Sequence, residues 1–244
     1  MAEVLKELQG HSGSKVYLMR NSEMLFVRKI GNVVRNVERM EKLSGLVNVP
    51  KIYSVSDDTL DMEYIHGLDM ATYLSYNNPR KLIKFLLDTI DSLGYNAYDK
   101  EYTETYHKKL ESIDFSVLPF TKEMLIKSLP RILPRSEYLG DMTLENIIYD
   151  VSGDRFVFID LITSEYDSTV FDLAKLNQDL TCKWFIRKNN LNLDDKLLTI
   201  RKILAKNIPE YEQLTILMLL RILPYCKNDF DKQYIINEVK KLWT

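Results

Sequence analysis

The chain has 244 residues, 45% hydrophobic and 28% charged, enough apolar material for one large domain or two small lobes. Its formal net charge of -2, with no long Lys/Arg block, argues against a nucleic-acid surface or a polybasic membrane anchor. Cys182 and Cys226 form no CxxC pair and the three histidines, at 11, 66 and 107, are scattered, so neither a disulfide framework nor a zinc site is expected, and a reducing, cytoplasmic setting is.

The first residues, MAEVLKELQGHSGSK, lack the basic-then-apolar order of a secretory leader. From Lys15 to about Tyr64 the texture is strand-like: KVYLMR, MLFVRKI after the turn signal Asn21-Ser22-Glu23, then KIYSV and TLDMEYI around Asp57-Asp58. Between them NVVRNVERMEKLSGL places Val33, Val37, Met40 and Leu43 at helical spacing, with Gly45 near its end. From about Met70 the pattern is helical, as in PRKLIKFLLDTIDSLGYNAY and FTKEMLIKSL. NIIYDVSGDRFVFID interrupts it with two short β-type runs around Asp150 to Asp154, which predicts a hairpin inserted among helices. FDLAKLNQDLTCKWFIR and the remainder to Trp243 return to helix. LTILMLLRILPYC is too short to span a bilayer and contains Arg221 and Pro224, so it is read as a core helix and no membrane insertion is expected. The expected organisation is an α+β chain of two lobes, residues 1–66 with a small antiparallel sheet and one helix, and residues 67–244 mainly helical, hinged near Glu63 to Gly67.

The pattern Asp-x-x-x-x-Asn occurs three times, at Asp91/Asn96, Asp141/Asn146 and Asp172/Asn177. The first and third fall in or beside helices, where residues five apart point in different directions. Asp141/Asn146 lies in YLGDMTLENIIYD, a loop after Gly140 that leads into the hairpin, and Asp160 ends the hairpin's second strand. An Asp, an Asn and a second Asp so arranged can converge on one phosphate and its cation.

Here the sequence resembles the aminoglycoside phosphotransferase/choline kinase group within the protein-kinase-like fold, whose catalytic loop reads His-Gly/Arg-Asp-x-x-x-x-Asn and is followed, after a hairpin, by a metal-binding Asp. The resemblance implies that Asp141 orients or deprotonates an acceptor hydroxyl, while Asn146 and Asp160 hold Mg2+ bridging the phosphates of ATP. It extends to LQGHSGSKVYL, where Gly10, Ser12, Gly13 and Ser14 would form a turn whose backbone N–H groups cover phosphate oxygens; a plain hairpin turn has the same composition. FVRKI matches the strand that presents the phosphate-binding Lys29, with Val27 on the same face for adenine and Arg28 pointing the other way. Glu38, with Glu41 as competitor, would fix the lysine from the helix, although either glutamate would equally suit a solvated surface. Met62 would back the adenine pocket, and the backbone of Glu63 to Ile65 would bond the base. Asp172 in STVFDLAKL resembles the buried aspartate that accepts backbone hydrogen bonds from the catalytic loop, although a helix N-cap would also place an Asp there.

Two departures stand out. Leu139 occupies the usual His position, and Asp160-Leu161-Ile162 lacks the glycine of Asp-Phe-Gly. The resemblance covers the chain to about Arg187 and looks most like bacterial phosphotransferases associated with surface-polysaccharide precursors. It implies an ATP- and Mg2+-dependent kinase for a small-molecule hydroxyl, with a sugar or sugar-derived acceptor ahead of choline or an aminoglycoside. A nucleotide-binding pseudokinase that regulates a partner is the alternative that Leu139 motivates. Glu165, Tyr166, Asp167 and Trp184 are candidates to line the acceptor pocket. Oligomeric state is not legible.

Overall fold

A computed structural model describes residues 2–8, 14–94, 98–208 and 212–243. In chain order the strands and helices are β1 (Glu3–Leu8), β2 (Lys15–Arg20), β3 (Leu25–Ile30), α1 (Val34–Leu43), β4 (Ile52–Val55), β5 (Thr59–Glu63), β6 (Gly67–Asp69), α2 (Met70–Tyr76), α3 (Arg80–Leu93), β7 (Asp99–Glu101), α4 (Thr103–Lys109), α5 (Lys122–Ser128), β8 (Ile132–Pro134), β9 (Ile147–Asp150), β10 (Arg155–Phe158), α6 (Thr169–Cys182), α7 (Asp194–Leu204), α8 (Glu212–Leu220) and α9 (Asp229–Leu242). They fall into two compact units, Met1–Tyr73 with Glu145–Thr163, and Leu74–Leu144 with Ser164–Thr244.

The first unit holds a five-stranded sheet in the order β1-β2-β3-β5-β4, antiparallel at every pairing. Both predicted turns form by side-chain or backbone closure. Asn21 Oδ1 accepts the N–H groups of Glu23 and Met24 at 2.9 and 2.8 Å, an Asx turn that reverses the chain between β2 and β3. Ser56 N donates to Thr59 O at 2.8 Å between β4 and β5. In the edge strand β1 nearly every side chain of EVLKEL is exposed, so no buried face leaves an alternating signature and only the Gly/Ser turn after it points to a strand there.

The predicted hairpin forms as β9 and β10, with Asp150 opposite Arg155. It is completed by β6, which pairs with β9. The contact is close at Gly67, where an added Cβ would lie 2.0 Å from the Tyr149 carbonyl oxygen, so only glycine lets the two backbones meet there. Asn48 Nδ2 donates to Phe156 O at 3.0 Å and Phe158 N donates to Asn48 O at 2.9 Å, which ties β10 to the segment after α1.

The second unit is helical apart from the short β7–β8 ribbon. Its core joins Tyr102, Tyr106, Phe171 and Trp184 to the apolar side chains of α8 and α9. All seven residues from Leu214 to Leu220 are buried, as expected of a central helix with no polar face, and no described helix is long and apolar enough to cross a membrane. Helix α6 is equally enclosed. It begins at Ser168, whose side chain accepts Val170 N, and it carries polar side chains inward as well as apolar ones: Asp172, Lys175, Asn177, Gln178 and Asp179 are all buried.

Candidate active site

Strand β3 sets the group of candidate residues in the first unit. Its alternation buries Val27 and Lys29 and turns Arg28 to the opposite face, where its Nε and Nη2 donate to the two oxygens of Asp61 at 2.7 and 2.6 Å. The Lys29 side chain is only 6% exposed, and its Nζ lies 2.6 Å from Asp160 Oδ1. An ammonium this buried needs a partner, and Asp160, 131 residues away in sequence, supplies it.

Asp160 is placed by the segment that follows β10. Ile159 N donates to Asn146 O at 2.8 Å and Thr163 N to Arg35 O at 3.2 Å. Asn36 Nδ2 donates to Leu161 O at 2.6 Å and lies 3.5 Å from Asp160 Oδ1. The segment is thus fastened at one end to Asn146 and at the other to the start of α1. Asp160 itself has φ +54°, a left-handed conformation that Asp tolerates better than most residues and that concentrates at functional sites. Its side chain remains 45% exposed, so the carboxylate is held without being closed off.

Asn146 and Asp160 carry hard oxygen donors, and the backbone bond from Ile159, the residue before Asp160, to Asn146 O joins their segments. No cluster of three or more His, Cys, Asp or Glu that could hold a metal occurs among the described residues. That donor set fits Mg2+, which is held by one or two protein groups together with phosphate oxygens and water.

The sequence-predicted partner of Lys29 needs correction. Helix α1 buries Asn36, Arg39, Met40 and Leu43, spaced as one face, while Glu38 and Glu41 are exposed. The lysine pairs with Asp160, and the α1 residue that reaches the same carboxylate is Asn36. Met62 is half-buried opposite Val27 in the sheet. The Glu63 N–H is engaged by Lys51 O at 2.8 Å, and its carboxylate accepts from Lys51 N at 3.1 Å and Arg155 Nη2 at 3.2 Å, so the sheet ladder ends there. Tyr64 and the buried Ile65 follow it outside any strand. Ser14 is half-buried beside Gly31, whose added Cβ would meet Ser14 Oγ at 3.1 Å. Gly10, Ser12 and Gly13 lie outside the described residues.

In the second unit, the loop carrying Asp141 is held by side chains of α6. Gly140 has φ +91°, which explains a glycine immediately before the aspartate. The buried Asp172 accepts three backbone N–H groups from this loop: Leu139 at 2.5 Å, Gly140 at 3.0 Å and Met142 at 3.4 Å. Asp172 therefore anchors the loop, and the helix cap is Ser168. Leu139 is fully buried, so an apolar side chain occupies the position usually held by His while Asp172 fixes the backbone. One helical turn along α6, Lys175 Nζ lies 3.1 Å from Asp141 Oδ1, and Asp179 Oδ2 accepts Leu144 N at 2.6 Å. Neither Lys175 nor Asn36 was singled out from the sequence; the signal for Lys175 was present as the one basic residue of α6, three positions after Asp172.

Burial pushes the Asp172 carboxyl up to about 7, against the pull of the three N–H groups and with a further push from the charge of Asp141. A carboxyl with a folded pKa above its unfolded value binds more protons in the folded state, so its contribution is full below about pH 4 and is lost as pH rises toward 7. Asp172→Asn should remove this segment of the pH dependence. Urea unfolding at pH 5 and pH 7 should show a smaller loss of stability between the two for Asp172→Asn than for the parent.

The residues named as candidates to line an acceptor pocket make defined contacts within the second unit. Tyr166 is buried beneath the Arg221 guanidinium, 4.3 Å from its ring, and Trp184 beneath that of Arg187 at 3.5 Å. Glu165 is gripped by Lys108 at 2.7 Å and Lys109 at 3.1 Å, and these ion-pair hydrogen bonds hold its pKa at about 2. Asp167 bonds Lys100 Nζ at 2.7 Å, Arg135 Nε at 2.9 Å and Tyr102 Oη at 3.0 Å.

No model of a known protein family matches the sequence. No curated protein matches it either. Solved structures do match. The choline kinase LicA from Streptococcus pneumoniae superposes with a TM-score of 0.62 at 18% identity, covering 98% of this chain and 94% of that one. A Plasmodium vivax ethanolamine kinase gives 0.58 at 14% identity, covering 98% and 82%. A thermostable mutant of the aminoglycoside phosphotransferase APH(4)-Ia, in a ternary complex with AMP-PNP and hygromycin B, gives 0.62 at 10% identity, covering 99% and 94%. With its five-stranded antiparallel sheet and its helical second unit, the chain has the protein-kinase-like fold on which these small-molecule kinases are built.

Proposed function

We propose that the chain is an ATP- and Mg2+-dependent phosphotransferase that acts on the hydroxyl of a small molecule, with a sugar or sugar-derived compound as acceptor. The observation that carries this reading is the 2.6 Å pair between Lys29 and Asp160, two residues selected from separate motifs. Mg2+, when bound, would neutralise charge on the phosphate oxygens. Lys29 would turn from Asp160 to the α- and β-phosphates, and Asn146 and Asp160 would hold the cation. Asp141 would accept the hydrogen bond of the acceptor hydroxyl. As that oxygen bonds to the γ-phosphorus, the bond from phosphorus to the β–γ bridging oxygen breaks, its electron pair leaves with ADP, and the hydroxyl proton passes to Asp141. The loop around Asp141 is preorganised by its bonds to Asp172, which is how such a site lowers a barrier without covalent chemistry of its own.

The state of Glu165 and Asp167 supports an acceptor without a cationic amine: four Lys and Arg side chains already engage these two carboxylates, which leaves little attraction for choline or an aminoglycoside. The reaction is placed in the cytoplasm, where ATP is available. The test is a panel of sugars, sugar phosphates, amino alcohols and aminoglycosides incubated with Mg-ATP, the product being located by mass spectrometry and phosphorus NMR. A phosphorylated sugar is expected. An amine-bearing product alone would reassign the acceptor, and tight Mg-ATP binding without transfer to any compound would indicate a pseudokinase.

A further inference from the structure

We propose that Lys175 is a positioning residue for phosphoryl transfer: its ammonium holds the Asp141 carboxylate through Oδ1 and so sets the direction in which that carboxylate meets the acceptor hydroxyl. The inference rests on the kinase reading given above and deepens it.

The two side chains of the pair differ in burial. The Lys175 side chain is 10% exposed and that of Asp141 36%. A lysine enclosed in a helical core incurs a large desolvation cost unless a carboxylate meets it. Here the lysine is the fixed member of the pair and the aspartate the reaching one, so Lys175 anchors Asp141 to the scaffold and leaves it partly open.

Its neighbours on α6 give the anchor a context. Asp172, Lys175 and Asp179 stand at i, i+3 and i+7, which lie on one face of a helix. They address the loop in register with its sequence. Asp172 takes the N–H groups of Leu139, Gly140 and Met142, Lys175 takes the side chain of Asp141, and Asp179 takes the N–H of Leu144. The two carboxylates fix the backbone on either side of Asp141; the ammonium between them fixes the side chain. The ammonium there offsets the negative charge of Asp141 beside the buried Asp172 carboxyl. The loop from Leu139 to Asn146 contains no Lys or Arg of its own.

The full-length protein carrying Lys175→Met or Lys175→Arg tests this, using Mg-ATP with the acceptor found by the panel, or with water as acceptor and ADP release as the signal. Lys175→Met should lower kcat about 100-fold, the order of loss expected when a reacting group is displaced by about an ångström. The KM for ATP should be unchanged, and Lys175→Arg should restore most of the rate. In an Asp141→Asn background, followed by single-turnover transfer of radiolabelled phosphate, Lys175→Met should cause no further loss. A role of Lys175 that does not run through Asp141 would give the same proportional loss in both backgrounds, a role in packing alone would give equal loss for Met and Arg, and either result overturns the proposal. So does a folded Lys175→Met protein with the parent's kcat. Should Lys175→Met not fold, Lys175→Gln, which keeps length and polarity without charge, is read by the same criteria. A parent protein that forms no ADP under any condition overturns the kinase reading itself and this inference with it, an outcome seen before any variant is made.

Discussion

Asp141→Asn should reduce phosphoryl transfer by about 10²- to 10⁴-fold, the range ascribed to a positioned general base, while ATP binding stays at the parent's level. The substitution keeps the size of the side chain and removes the charge proposed to receive the hydroxyl proton. It should leave the loop in place, because Leu139, Gly140 and Met142 are held through their backbone N–H groups by Asp172. The nucleotide contacts assigned to Lys29, Asn146 and Asp160 do not involve Asp141. Rapid-quench measurement of transfer beside calorimetric titration of nucleotide separates the two effects. Undiminished turnover would reject the role of Asp141, and a parallel collapse of ATP affinity would show that the aspartate belongs to the nucleotide site.

Lys29→Met should act in the complementary way. The lysine is assigned a charge-assisted contact to phosphate, and loss of such a contact costs about 1.5–3 kcal/mol, equivalent to roughly 10- to 150-fold in affinity. Thermal stability without nucleotide should change little, because the partner left behind is Asp160, 45% exposed in its side chain, whose carboxylate can be rehydrated. Melting curves with and without Mg-ATP read both quantities at once, since a ligand that binds only the folded state raises its melting temperature. A large loss of stability without nucleotide, with an unchanged ligand-induced rise, would mean that Lys29 is a structural residue.

Much of this was legible in the sequence where residue pattern and local geometry agree. The period-two burial of FVRKI separated Lys29 from Arg28, and their partners, Asp160 and Asp61, lie as that alternation requires. The hairpin announced itself through two short β-type runs around Asp150 to Asp154, and of the three Asp/Asn pairs the structure leaves Asp141 in a loop, with Asn146 ending a single 3-10 turn (Leu144–Asn146), while Asp91 lies in α3 and Asp172 and Asn177 both lie within α6. What escaped was polar burial. The buried face of α1 includes Asn36 and Arg39, which interrupt the apolar stripe used to orient the helix, and so Glu38 was assigned to the lysine while it in fact faces solvent. Lys175 escaped for the same reason, because a buried charge cannot be distinguished from a surface charge by periodicity alone. The pairing of β6 with β9 is a non-local contact of three residues, carried mainly by the fit of Gly67 against Tyr149, and nothing in GLD marks it as a strand.

The central claim is that the Lys29–Asp160 pair, with Asn146, receives a metal-bound nucleoside triphosphate. Calorimetric titration of ATP into the protein with Mg2+, and again with the metal chelated, tests it most directly when repeated on Asp160→Ala. Binding is predicted that requires Mg2+ in the parent and that loses its metal dependence in Asp160→Ala. Equal ATP affinity with and without Mg2+ in the parent, or an Asp160→Ala protein that binds Mg-ATP as the parent does, would contradict the account.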